Sequence, residues 1–208
     1  MFSKLGFSAV SVRDICYAVG VRESALYKHY SSKQAVFDTI VENYGKISDE
    51  FMSGIGALYG EDMSVMTASA DRYAQMSDEE FLRIGGSVFT DFLMRPPIMK
   101  FWRMISIERC SDPKMAEYYH RQLFEMPMQF QTLLFGILIA NGAMRDVDPS
   151  ILALEFYSPL LMLYTWMLPF ESDDEVFTGY LALARQHMMH FRGTYEVKHK
   201  KQEEMDNE

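Results

Sequence analysis

The sequence predicts an all-α protein, and three observations predict it. Apolar residues return at three- and four-residue spacing along most of the chain. Proline and capping residues (Ser, Asp) stand where those periodic stretches begin. Alternating apolar runs joined by hairpin turns are absent, and no internal repeat is visible. About nine helices are expected. At 208 residues, 49% of them hydrophobic and 14% aromatic, the chain has ample material for a large core.

The segment from Ser11 to Lys33 is the most informative. Ser11 caps a first helix and Asp14, three residues on, closes a shortened capping box. Val12, Ile15, Cys16 and Val19 share one face of that helix. Gly20 supplies the positive φ that a sharp turn into a second helix needs. Small Cys16 sits where the two helices come closest, and Leu26 and Tyr30 give the second its apolar side. This is a helix-turn-helix pattern, whose second helix, Arg22–Tyr30, offers N-terminal side chains to the DNA major groove. Arg22 and Ser24 are the candidate base readers, since an arginine can donate two hydrogen bonds to guanine. Glu23 suits cytosine or balances Arg22. Ser11, Arg13, Tyr27, Lys28 and His29 complete the candidate contacts. Lys33, at the start of the following helix with Ser31 or Ser32 as cap, forms with the free amides there a candidate phosphate site.

These residues, in the wording Ser11-Val-Arg-Asp-Ile, Gly20-Val, Ala25-Leu-Tyr-Lys-His-Tyr30 and Ser32-Lys33, closely resemble the DNA-binding domain of the TetR family of transcriptional regulators. The resemblance covers Lys4 to Ile40. It returns weakly at Gly142–Pro149, which looks like the loop before that family's dimerisation helices. It supports Tyr27, His29 and Lys33 most directly as backbone contacts. Only Met1–Phe7 stands where the family has a full first helix, so a truncated first helix is expected, with apolar faces of the next two left uncovered.

Charge fits this division. Residues 1–34 carry five cations against two acids, a net +3, while the remainder carries 15 basic and 27 acidic residues, a net −12. A basic head on an acidic body suits a protein that meets phosphate with one end only.

The rest follows in order. A long helix from Gln34 to Tyr59 carries a stripe of Ala35, Val36, Ile40, Val41, Tyr44, Ile47, Phe51 and Ile55; the resemblance makes it the link between head and effector body. Helices are expected at 63–76, 78–94, 98–110, from Pro113 through Leu123, and from Pro127 to Asn141. Asp148-Pro149-Ser150 caps the most apolar helix, Ile151–Leu168. Pro159 and Glu155 inside it and the flanking acids argue against a membrane span. A final helix runs from Asp174 to about Tyr195. These last two helices are the expected homodimer interface. The domains are then 1–45 (DNA binding), 46–195 (ligand binding and dimerisation) and 196–208 (a charged, disordered tail).

Met and aromatic side chains concentrated mid-chain suit an adaptable apolar pocket. Its candidate lining is Phe89, Phe92, Trp102, Met126, Phe130, Leu134, Tyr157, Leu161 and Tyr164; Glu108, Glu155 or Asp91 could meet a cationic or hydroxylated ligand, though a surface or salt-bridged carboxylate is the better reading of each. A small apolar or aromatic effector is expected. No cofactor or metal is implied: His187 and His190 lie three apart without a third ligand at a telling spacing. No Gly-rich phosphate loop, nucleophile elbow or HExxH points to catalysis. Cys16 and Cys110 read as small packing thiols of a reduced, cytoplasmic protein, with no signal peptide visible at Met1–Val10. The expected function is a homodimeric, ligand-responsive regulator, most simply a repressor, of double-stranded operator DNA. The alternative is a dimeric ligand-binding protein whose shortened head no longer reads DNA, with an enzyme using the apolar cavity as a third class.

Overall fold

The computed structural model describes residues 1–59, 72–73, 75–87, 92–170 and 174–197. Ten α-helices and one π segment have both ends within the described residues, which also include helical residues at 72, 73 and 75 and a π stretch at Phe92 and Leu93; among the described residues the only extended pairing is an isolated bridge between Met144 and Glu196. The helices are α1 (Phe2–Leu5), α2 (Val12–Val19), α3 (Glu23–Leu26), α4 (Lys33–Tyr59), α5 (Asp78–Ser87), α6 (Pro96–Glu108), α7 (Pro113–His120), α8 (Met126–Ala140), α9 (Pro149–Met167) and α10 (Asp174–Tyr195). Most of the helix expected at 63–76, and Val88 to Asp91 of the next, lie outside the described residues.

The caps are as the side chains dictate. The Ser11 hydroxyl accepts the Asp14 amide at 3.1 Å, and the Asp14 carboxylate accepts the Ser11 amide at 2.8 Å. Hydrogen bonds from Ser11 hold the Asp14 carboxyl below the usual carboxylate range. Ser32, Ser77, Asp112 and Asp148 each accept an amide of the first turn they precede. Gly20 closes α2 in the left-handed region, at φ 75°.

α3 is shorter than the Arg22–Tyr30 expected. Its winding tightens after Leu26, where the amides of Lys28 and His29 reach back only three residues, to Ala25 and Leu26. α4 passes unbroken across position 45. Phe37, absent from the expected stripe, is its most buried side chain, and Ile47, expected inside, is exposed.

α7 and α8 form one continuous helix, with a π turn at Arg121–Glu125. Pro127 explains the irregularity: it has no N–H for the carbonyl of Leu123. That carbonyl instead accepts the Tyr157 hydroxyl from α9, at 2.9 Å. By length and composition the combined run, Pro113–Ala140, is long and apolar enough to cross a membrane; here its Met126–Ala140 part packs on α9 and its Pro113–His120 part on α6.

The main core gathers Phe2 and Phe37 from the head end with Phe92, Phe101, Trp102, Ile105, Tyr119 and Tyr164. A second cluster joins α8, α9 and α10 through Phe135, Leu138, Leu152 and Phe191. Cys16 is buried as expected, but Cys110 is exposed, because α6 ends at Glu108 and leaves the thiol on the turn beyond it. Val19 is exposed as well, since the C-terminal turn of α2 extends past the Phe2–Phe37 cluster. Glu196 and Val197, the first two residues of the expected tail, are held by the fold. Glu196 pairs with Arg192, and the Val197 amide donates to Ala143; residues 198–208 lie outside the described residues.

Arg192 fastens α5 to α10. Buried, it donates to the carbonyls of Met76 and Ser77, pairs with Glu196 at 2.8 Å and lies 3.3 Å from Asp78. Replacing it by Met strands those acceptors and the largely buried Glu196. Arg192→Met is expected to lower unfolding stability by about 3 kcal/mol, read from a urea titration.

Candidate functional site

Two candidate sites are linked by one helix, α6, which borders a cavity at Trp102 and reaches the head at Glu108. At the head, Arg22, Glu23, Ser24, Tyr27, Lys28 and His29 are all exposed on α3 and the turn after it, held up by buried Leu26. Arg22 takes the N-cap position with extended backbone, so its side chain stands at the very start of the helix. Ser11 and Arg13 are exposed on α2. Glu23 does not balance Arg22; it pairs with Arg13 across the two helices at 3.4 Å. Both partners are solvated, so this pair contributes little stability and leaves Arg13 available to a stronger anion.

Lys33, expected at phosphate, is turned inward. Its ammonium donates to the carbonyls of Phe7 and Val10, both at 2.8 Å, and lies 4.1 Å from the centre of the Phe7 ring. The loop Gly6–Val10 has few backbone partners of its own, which is why a long cation is recruited there. The same loop is held from the body side. The Phe7 amide donates to the Glu108 carboxylate at 2.6 Å, and Gly6 (φ 78°) comes so close to α6 that a Cβ would stand 3.1 Å from Glu108. Glu108 therefore faces the head, not a ligand. Glu155 is exposed and accepts the Tyr195 hydroxyl, and Asp91 lies outside the described residues.

The second site is a cavity of about 330 Å³ among α4, α5, α6, the π turn, α8 and α9. Phe92, Trp102, Met126, Phe130, Leu134, Tyr157, Leu161 and Tyr164 all border it; Phe89 lies outside the described residues. Burial pushes the Tyr157 and Tyr164 hydroxyls well up, Tyr157 with a lesser push from nearby Tyr119, so both stay protonated donors at any physiological pH. Sequence reasoning missed the polar lining, Arg72, Arg83, Gln122 and Gln131. No periodicity marks a polar residue as cavity-facing, so only the fold reveals it. Among the described residues no group of three metal-ligating side chains is present, and His187 bonds the Phe156 carbonyl at 2.8 Å.

Residues 1–40 match the family model described as bacterial regulatory proteins, tetR family. The match covers the head alone, which is similar to the DNA-binding domain of that family. The helical layout of the whole chain is similar to that of two solved structures. A structure assigned as a TetR-family transcriptional regulator of Mesorhizobium loti superposes with a TM-score of 0.60 at 16% identity, over 94% of this chain and 91% of that one. One assigned as a transcriptional regulator of Saccharomonospora viridis, solved with choline, gives 0.58 at 18% identity, over 91% and 88%. At such identities the likeness is one of fold. Comparison with curated protein sequences gave no match.

The inward Lys33 has a consequence that separates scaffold from contact. Lys33→Met is expected to destabilise the head by roughly 2 kcal/mol, the loss of two charge-assisted bonds. Amide exchange in α2 and α3 should quicken with or without DNA present. A Lys33 that only met phosphate would leave exchange in the free protein unchanged.

Proposed function

We propose that this TetR-family chain is a homodimeric, cytoplasmic, one-component repressor that binds operator DNA through its heads and releases it when a small apolar or aromatic effector fills the cavity. The observation that carries this reading is α6, which bears Trp102 in the cavity wall and, six residues on, Glu108 on the backbone of the head. A ligand that shifts Trp102 pulls on the Gly6–Val10 loop and so on the angle of α3. α4 takes part too, through Tyr44 stacked on Phe101 at 4.6 Å. A body in which both sites bias one packed element is the physical requirement for coupling, which in such proteins amounts to ~1–3 kcal/mol.

A partner copy is supported by apolar exposure. Ile151, Leu154, Met162 and Trp166 form one stripe along α9, with Trp166 52% exposed, and Leu183 stands exposed on α10. Solvent does not favour such a stripe, and a second copy would cover it. Two heads then meet two half-sites. The domain limits 1–45, 46–195 and 196–208 serve this reading. The choline bound by the Saccharomonospora neighbour supports a small-molecule effector in general.

One observation favours a second reading, a ligand-binding dimer whose head does not read DNA. Tyr17 is 90% exposed and Val19 67%, an apolar surface on the head that no described element covers.

Fluorescence anisotropy against DNA from upstream of its own gene, at two salt concentrations with scrambled DNA as control, decides between them. Sequence-dependent, salt-sensitive binding is expected. Arg22→Ala should cost roughly 1–3 kcal/mol and relax the sequence preference, while Lys28→Ala should weaken all sequences alike and reduce the salt slope by about one. Binding no better than to scrambled DNA would favour the second reading.

A further inference from the structure

We infer that the cavity is built for an amphipathic anion, with an apolar tail inside and a carboxylate-like group held at the mouth by Arg83. This rests on the effector reading above and gives that effector a charge and a size. The wall is apolar and aromatic, with Trp102, Phe135 and Leu138 all buried in the fold. The charges on it are of one sign: Arg72 and Arg83 border the cavity, and no carboxylate is among the described lining residues. The two arginines differ. Arg72 is already paired with Glu80 at 2.9 Å. Arg83 makes no hydrogen bond or ion pair among the described residues and is exposed. It stands one helical turn before Ser87, which also lines the cavity.

A planar guanidinium at the mouth matches a carboxylate bidentately. A cation there meets the guanidinium of Arg83, which no described acid offsets, while Glu80 already offsets Arg72. The amides of Gln122 and Gln131 add neutral donors suited to a second ligand oxygen. Size follows from the 330 Å³: at roughly 30 Å³ per water-sized group, about eleven non-hydrogen atoms fit. That is the scale of a medium-chain carboxylate or an arylalkanoate.

The test is calorimetry on the full chain with three probes of one tail length: decanoate, decan-1-ol and decyltrimethylammonium. Decanoate is expected to bind about tenfold or more tighter than the alcohol, the effect of a charge-assisted pair, with the cation weakest. Arg83→Gln, a solvent-exposed change that spares the core, should bring decanoate to within about threefold of the alcohol and leave the alcohol's own affinity unchanged. Rising salt should narrow the wild-type preference in the same direction. A cation or alcohol that binds as tightly as decanoate overturns the anion assignment, and so does a preference that survives Arg83→Gln. Either result leaves the cavity a ligand site. Failure of all three probes to bind the folded wild-type chain overturns the assignment and removes support from the effector reading as well.

Discussion

Phe7 is held by both of its backbone polar groups, and the relation of head to body depends on that grip. Its amide goes to Glu108 at 2.6 Å and its carbonyl to Lys33 at 2.8 Å, one partner on α6 and the other at the start of α4. Both bonds are charge-assisted, the stronger kind in a protein interior. The Phe7 ring adds an apolar contact, edge-on to Phe37 at 5.3 Å, with Phe2 packed beside it. A four-residue α1 could not hold a head in place by area alone. Two charge-assisted hydrogen bonds on one residue add direction to that packing.

The same economy shapes the cavity. Pro127 leaves the Leu123 carbonyl without its helical donor, and the Tyr157 hydroxyl supplies one from across the cavity wall. The π turn and Pro127 form part of the chamber wall. A wall that contains an irregular helix, and a side chain whose hydroxyl bridges two helices, can be moved by a ligand with few bonds lost. α6 runs from that wall to Phe7, so the two ends of the molecule share a rigid element.

Much of this was legible in the residues. Helix type came from apolar spacing, helix starts from Ser11, Ser32, Ser77, Asp112 and Asp148, and the helix-turn-helix from small Cys16 and Gly20. Eight cavity residues could be named because Met and aromatic side chains cluster mid-chain. What escaped was everything that depends on long-range charge. Lys33 read as a phosphate ligand because it opens a helix, and Glu108 as a ligand carboxylate because it lies on an apolar helix. Each meets a loop 26 or 101 positions away in sequence. Arg83 was passed over because a solvated helix arginine and a cavity-mouth arginine look the same in one dimension. Val19 misled in the opposite sense: its spacing is that of a buried face, and the fold ends before covering it.

The central claim is that head and body form one cooperative unit through Phe7. Native-state hydrogen exchange on the wild type and on Glu108→Ala tests it most directly. The account predicts that amides of α2 and α6 open with similar free energy in the wild type, and that the substitution lowers the opening free energy of α2 well below that of α6. If α2 already opens independently of α6 in the wild type, or if Glu108→Ala leaves the two unchanged, the grip on Phe7 does not join head to body and the account fails.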